Sequence, residues 1–402
     1  MKVLVINCGS ATLKFELLEM DTGASPSGEE IRLARGIVDS IGGNTVINFS
    51  IGERGGLKEV RTLGDHRAAT HLVLSWLKSS QLLADGEPGV VGHRIIHGGG
   101  KFTEPTLVDD KVIEVIDTLS ELAPLHNQPS LDALRAVRTT LGDTVPNVAI
   151  FDTAFHRTLP EYARQYALPR TLAAKHHIQR YGFHGLAHRY MTERYAAITA
   201  TPLKQLRLIT LQLGNGCSAT AVKGGHSIDT SMGFTPLEGL MMGTRSGDLD
   251  PTLVGFLARR EKVSVEAIED WLNTRSGLLG VSGCSRDMRD ILKAEREGDK
   301  IASLAINMFC YRVRKYIGAY LTALEGADAI IFGGGIGENA FEVRARILAG
   351  MQWCGLKLDS DKNRLAIGRE SRISADDARV SAYVIPVDEA IIIARDAVSC
   401  LR

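Results

Sequence analysis

The sequence predicts an α/β protein of two domains. Its length, 402 residues, exceeds what one hydrophobic core usually supports. Short apolar runs of strand character are interspersed with amphipathic helical patterns. A unit of strand, Gly/Ser turn and strand stands at the start of the chain and again past its middle.

The first such unit has Lys2 to Ile6 as a buried strand, NCGSAT (Asn7 to Thr12) as a tight turn and Leu13 to Leu18 as the returning strand. Strands follow at Ile31 to Val38 and Thr45 to Ser50, then a helix whose apolar Leu72, Val73, Trp76 and Leu77 recur at helical spacing. A strand from Val90 to Ile96 leads into HGGGK. Helical patterns at Asp109 to Leu122 and Leu131 to Leu141 precede a strand, Val145 to Phe151, which ends on Asp152. The first domain boundary is expected there. Beyond it, Leu206 to Leu213 forms a strand, LGNGCSAT turns, and a second strand begins near Ala219. Comparison of NCGSAT with NGCSAT suggests a duplicated unit; the rival explanation is chance pairing of two common turns. A helix from Ile301 to Glu325, a strand from Ala329 to Phe332 feeding GGGIGEN, a strand from Tyr383 to Ile385 and a helix from Asp388 complete the chain.

Composition excludes several partners. The 47 basic and 47 acidic residues cancel without a long run of either sign, which argues against nucleic acid or an anionic membrane surface. No apolar run approaches membrane-spanning length. Cys8, Cys217, Cys284, Cys310, Cys354 and Cys400 lie far apart with no C-x-x-C pair, which fits neither a disulfide framework nor a zinc site and points to a reducing cytoplasm. The amino-terminal MKVLVINCGS is interrupted by Asn7 and Gly9 too early for a signal peptide.

Three glycine turns directly follow apolar strands: NCGSAT, LGNGCS (Leu213 to Ser218) and FGGGIGEN (Phe332 to Asn339). Such turns offer backbone amides to a phosphate or a nucleobase. A phosphoryl group in flight carries spread negative charge, so its catalyst needs amides, cationic side chains and a metal in fixed positions. None of the three is a P-loop or G-x-G-x-x-G fingerprint, and Gly98-Gly99-Gly100-Lys101 lacks the following Ser/Thr. Singly, each reads as an ordinary strand-ending turn. Two arginine-bearing segments, GHRIIHGGG around Arg94 and MMGTRSGDLDP around Arg245 and Asp248, strengthen the anion reading, because guanidinium clamps carboxylates and phosphates with a planar fork.

Asp152 and Glu389 stand at strand ends, where open α/β folds place ligand groups, and carboxylates there suit magnesium with several waters. Helix capping competes for Asp152, Asp388 and Glu389. His184 and His188 are four residues apart, but no H-E-x-x-H glutamate lies between them and Gly182 suggests a loop, so a zinc site is not expected.

In this order, NCGSATLK, HRIIHGG, LAPLHNQPS, FDTAFH, RYGFHG, LGNG, DTSMGFTPLEGLMMGTRSGDLDP, SGLLGVSG, CSRDMRD, GGGIGEN and IPVDE resemble the acetate kinase family from Asn7 to Glu389. The resemblance implies two duplicated actin/hexokinase-like (ribonuclease H-like) domains with a nucleotide cleft between them. Residues 1–152 completed by 388–402 would form one domain, and residues 153–387 the nucleotide-binding other. It implies reversible transfer of the ATP γ-phosphoryl group to acetate, giving acetyl phosphate and ADP, by direct in-line transfer with magnesium or manganese in a cytoplasmic homodimer.

Carried over by position, the catalytic residues would be Arg94, Asp152, His184 and Arg245, with His126 nearby. The acyl substrate would meet Arg94, Ile96, Leu125, Phe183 and Pro236. Asn7 and Glu389 would serve the metal, with Asp152 beside them. Ser10 and Thr12 would lie near the transferring phosphate. Lys14, Gln212, Leu213, Gly214, Asn215, Gly216, Asp287, Arg289, Gly334, Gly335, Ile336, Gly337 and Asn339 would serve the nucleotide. A carboxylate acceptor is already ionised at pH 7 and needs no general base, so the shortage of base candidates agrees with this chemistry.

The chain departs from the family pattern in places. Gln212 replaces a histidine beside the nucleotide phosphates, Thr12 a serine, Leu186-Ala187 a Thr-Ser pair, and Ala390 a second glutamate, while Ala11 loses a hydroxyl. Ile96 is larger than the family's usual residue, which predicts acetate ahead of propionate. The alternatives are a propionate or other short-chain acyl kinase, a low-activity nucleotide-binding relative, a sugar or polyol kinase, which would need a carboxylate base, and a pyrophosphate-using variant.

Overall fold

A computed structural model describes residues 1–21, 30–84, 87–120 and 124–402, with the backbone alone for 124–126. The chain divides into two compact units, Met1–Ala154 with Asp388–Arg402, and Phe155–Val387.

The first unit is built on an eight-stranded sheet. Its strands are β1 (Lys2–Cys8), β2 (Thr12–Glu19), β3 (Ile31–Asp39), β4 (Asn44–Ile51), β5 (Arg54–Thr62), β6 (Val90–Ile95), β7 (Thr106–Leu107) and β8 (Asn147–Phe151). They lie in the order β5-β4-β3-β2-β1-β6-β8-β7. β1 to β5 form an antiparallel meander, and β6 and β8 run parallel to β1. The central strands are near-continuous apolar runs because both faces are covered. β5 has no counterpart in the sequence reading. Its RGGLKEVRT lies at the sheet edge, mostly exposed, and so carries little hydrophobic alternation.

Helix α1 (His66–Ser79) is capped by Asp65, whose carboxylate accepts from Ala68 N at 2.7 Å, and α2 (Asp110–Leu119) is capped by Asp109. α3 (Pro124–Leu141) begins before the expected Leu131. Pro124 occupies its first position, where a missing N–H costs nothing, and Pro129 is accommodated within the helix. Phe15 meets Phe49 and Trp76 edge-on and Phe49 meets Trp76 at a tilt, with 4.9 to 5.9 Å between ring centres, joining the sheet to α1. The carboxy-terminal helix (Glu389–Ser399) lies on β1, β6 and β8. Gly92 permits this, since a Cβ there would stand 2.7 Å from Ile393 Cγ2.

The second unit carries β9 (Arg207–Leu213), β10 (Cys217–Lys223), β11 (His226–Thr230), β12 (Ala329–Gly333), β13 (Ser371–Arg372) and β14 (Ser381–Val384), in the order β11-β10-β9-β12-β14-β13. β9, β10 and β11 are antiparallel neighbours, and β12 and β14 run parallel to β9. The five strands β3-β2-β1-β6-β8 thus recur as β11-β10-β9-β12-β14, with the same order and the same directions. The duplication is one of topology, with the two similar Gly/Ser turns at equivalent bends. Around this sheet lie α4 (Gly185–Thr199), α5 (Met288–Arg296), α6 (Lys300–Ala323) and α7 (Gly334–Asn339). The glycine run expected to turn after Phe332 is therefore helical from Gly334, which enters it at φ 76°. Among the described residues, no helix is long and apolar enough to cross a membrane.

Candidate active site

In the first unit, register gathers three polar residues at the carboxyl ends of parallel strands, and Glu389 joins them from the carboxy-terminal helix. Asn7 on β1 pairs with Arg94 on β6, Arg94 with Ile150 on β8, and Asp152 immediately follows β8. Arg94 donates from Nη2 to Asp152 Oδ2 at 2.9 Å and from Nη1 to Asn7 Oδ1 at 3.1 Å. Asn7 Nδ2 donates to Glu389 Oε2 at 3.0 Å, and that oxygen lies 3.7 Å from Arg94 Nε. Burial disfavours the Arg94 charge, but Asp152 and Glu389 outweigh it and hold the guanidinium above its ordinary pKa.

Capping does not explain these acids. Asp388 caps the carboxy-terminal helix through Ile391 N, whereas Glu389 turns to Asn7 and Asp152 to Arg94. Asn7 accepts from Arg94 at Oδ1 and donates from Nδ2 to Glu389, so it orients Glu389 in this arrangement and keeps a second lone pair on its oxygen. Lys14 is exposed on β2 opposite Asn7, and Ser10 is also exposed. Cys8 is buried, and burial pushes its thiol up to about 12, away from nucleophile chemistry. Ile96 is buried in this unit; the side chains of Leu125 and His126 lie outside the described residues.

In the second unit, His184 precedes α4 in the left-handed conformation, φ 58° and ψ 28°. The loop expected from Gly182 therefore ends at His184, and His188 stands on the first turn of a helix. His156 fixes the approach by donating from Nε2 to Phe183 O at 3.0 Å. The His184 ring meets Ser218 on β10 through Nδ1 at 2.8 Å. Gly216 lies beside it. A Cβ there would stand 3.4 Å from His184 Nε2 and 3.5 Å from Arg245 Nη1, so both cationic-type donors flank the LGNG turn.

Arg245 is the outlier among the predicted residues. Its Nη1 reaches Pro236 O at 3.3 Å and Met242 Sδ at 3.8 Å, and among the described residues no carboxylate pairs with it. Burial accordingly lowers its pKa, with only Cys217 opposing. The loop bearing it is clamped by Asp248, which accepts from Gly239 N and Tyr316 OH, each at 2.8 Å, and pairs with Arg312 at 3.2 Å. Asp248 is thus a structural anchor. Phe183 is buried and Pro236 half-buried in this unit.

A cavity of about 890 Å³ opens beside these groups, lined by Gly214, Asn215, Asp287, Arg289, Gly335, Ile336 and Asn339, all anticipated for a nucleotide. Its remaining wall includes Arg296, Phe341, Glu342 and Ile367, which sequence reasoning missed because they sit on unremarkable amphipathic stretches. Leu213, Gly216, Gly334 and Gly337 do not line it. Asp287 caps α5 and is engaged by Arg289, which holds its carboxyl below the usual range. Gln212 borders the turn on β9, and its amide oxygen is buried without a hydrogen-bond partner.

Residues 2–395 match the model of the acetokinase family. The chain is 47% identical to the acetate kinase of Solibacter usitatus, over 100% of this chain and 98% of that protein. It is 45% identical to that of Chloroherpeton thalassium, over 100% and 99%. Among solved structures it resembles Porphyromonas gingivalis acetate kinase, at 39% identity and TM-score 0.91 with full coverage of both chains. It also resembles a propionate kinase from Francisella tularensis, at 36% identity, TM-score 0.90 and 98% coverage of each.

Proposed function

Because the chain belongs to the acetokinase family, we propose that it is a kinase transferring the γ-phosphoryl group of ATP reversibly to acetate, with acetyl phosphate and ADP as products. The observation that carries the reading is Arg245. A desolvated guanidinium without an acidic partner is costly unless an anionic ligand completes it. An acyl carboxylate or phosphoryl oxygen supplies that charge, and His184 stands across Gly216 to donate to the same group. Arg94 has a different part, since Asp152 and Glu389 already meet its charge.

That first cluster holds one cation and two carboxylates, a net charge of −1, with the Glu389 side chain 19% exposed and Asp152 1%. The set fits a hard divalent ion that keeps most of its water and takes few protein ligands. Glu389 would hold magnesium or manganese, with Asn7 orienting it and Asp152 behind. Bound there, the ion would supply positive charge against phosphate oxygens. The acyl carboxylate needs no deprotonation, so the protein's contribution is alignment and charge neutralisation. The cavity beside Gly335 and Asn339 would take adenosine, with the Gln212 amide facing the phosphates.

Ile96, larger than the family's usual residue, favours the smaller acid, acetate, over propionate. A homodimer is expected, and Ile301, Leu304, Met308 and Tyr311, each 42% to 63% exposed at helical spacing on α6, would suit burial against a second copy. The absence of any paired cysteine among the described residues agrees with a reducing cytoplasm. The test is hydroxylamine trapping of acyl phosphate with magnesium and ATP. Acetate should give the highest rate, propionate less, and glycerol and glucose no acid-labile product or ADP. ADP release with glycerol or glucose and none with the acids would overturn the proposal.

A further inference from the structure

Behind His184 runs a chain of four hydrogen-bonding groups. Ser218 Oγ lies 2.8 Å from His184 Nδ1 and 2.8 Å from His188 Nε2, and His188 Nδ1 lies 2.7 Å from Thr210 Oγ1. His188, Ser218 and Thr210 are each 0% exposed. His188 is held well below the ordinary histidine range by burial first and then by His156 and His184, so it is neutral and carries one ring N–H.

One N–H on His188 leaves two directions for the chain, because each hydroxyl has one hydrogen to give. In the first, His188 Nδ1–H donates to Thr210, Ser218 donates to His188 Nε2, and His184 Nδ1–H donates to Ser218. Thr210 must then turn its own hydrogen to Thr220 O, 3.5 Å away, at the limit of a hydrogen bond. In the second, Thr210 donates to His188 Nδ1, His188 Nε2–H donates to Ser218, and Ser218 donates to His184 Nδ1. Every hydrogen then lies in a contact of 2.7 or 2.8 Å.

We infer that Thr210, His188 and Ser218 are positioning residues that hold neutral His184 in its Nε2–H form, so that it donates to the phosphoryl group as an uncharged imidazole. The Nε2 edge is the one beside Gly216 and Arg245. An uncharged donor there also avoids placing a second cation against the unpartnered Arg245. Among the described residues, the titratable or charged groups that the ring meets include His188 through Ser218, His156 beyond it with its ring 5.9 Å from that of His188, and Arg245 across Gly216. The inference rests on the kinase reading for its consequence in turnover, but not for the tautomer.

The experiment combines ¹⁵N NMR of the histidine-labelled full chain with steady-state kinetics. His184, assigned by loss of its signals in His184→Gln, should show protonated Nε2 and acceptor-type Nδ1 at pH 8, and kcat should not fall between pH 6.5 and 8.5. Ser218→Ala should give mixed tautomers and a kcat lower by about 10²-fold with both KM values within about twofold. Ser218→Thr, which keeps the hydroxyl, should restore both. A protonated Nδ1 in the wild type, or a kcat that declines as an imidazolium is lost, overturns the inference. So does a folded Ser218→Ala with unchanged tautomer and kcat. Wild-type protein with the Nε2–H signature and no acyl phosphate would overturn the kinase reading alone.

Discussion

Arg94 and Arg245 should separate stability from turnover when each is changed to glutamine. Arg94 Nη2 sits 2.9 Å from Asp152, a carboxylate 1% exposed, and 3.7 Å through Nε from Glu389. Removing the guanidinium leaves that buried carboxylate uncompensated, at a cost of about 3–5 kcal/mol. In a unit of this size each kcal/mol moves the midpoint by about 2–4 °C, so the first-unit transition of Arg94→Gln should fall by roughly 6–20 °C. Arg245→Gln removes a charge that burial already disfavours and that no described carboxylate meets, so stability should change by less than about 1 kcal/mol. Its turnover should nevertheless fall by about 10² to 10³, the usual loss for one donor at a developing charge. Calorimetry and the hydroxylamine assay on both variants read the two effects. Arg94→Gln/Asp152→Asn, which removes both charges, should recover most of the lost stability. The reasoning fails if Arg245→Gln melts as low as Arg94→Gln, or if it keeps turnover within threefold of wild type.

Ile96→Ala should raise the propionate to acetate ratio of kcat/KM by roughly tenfold or more, since a methylene in an apolar pocket is worth about 1–3 kcal/mol, and an unchanged ratio would place the acyl pocket elsewhere. Gln212→Leu should keep or raise the melting midpoint, because the amide oxygen it removes is buried without a partner, while raising KM for ATP; a stability loss above about 1 kcal/mol would contradict this. His93 and His97 are pushed down to about 4 by burial, so the unfolded chain binds more protons below about pH 6.5 and stability declines from there toward pH 4. Urea melts at pH 7 and 5 should differ by about 2 kcal/mol per histidine, and His93→Asn should remove one share of that difference.

The parts of the fold legible in the sequence are those whose signal is local. β1 and β12 carry the apolar runs VLVI and AIIF, and the turns after β1 and β9 follow from their glycines and short polar side chains. β5 was illegible because an exposed edge strand needs no alternation, and the helix at Gly334 because glycine propensity argues against it. The strings around Arg94, Asp152 and His184 pointed to those residues, but not to their partners. Glu389 reaches Asn7 from the other end of the chain, and Ser218 reaches both His184 and His188 from the hairpin that returns after LGNG. Such contacts are set by strand order and register, which a one-dimensional pattern does not carry. The misreading of His184 and His188 as lying in one loop shows the same limit: Gly182 governs the approach, and the left-handed His184 starts a helix immediately.

The two units solve the problem of buried charge in opposite ways. In the first, Arg94 is met by Asp152, Glu389 and Asn7, so its charge is answered before any ligand arrives, although its Nε is buried without a hydrogen bond. In the second, Arg245 has no described carboxylate and Gln212 leaves its amide oxygen unpaired, which are arrangements a fold selected for stability alone would tend to exclude. Both residues border the LGNG turn, whereas at the Asp248 anchor every oxygen named has a donor. On the proposed function, Arg245 and Gln212 of the second unit call for an anionic ligand, and the paired acids of the first unit call for a cation.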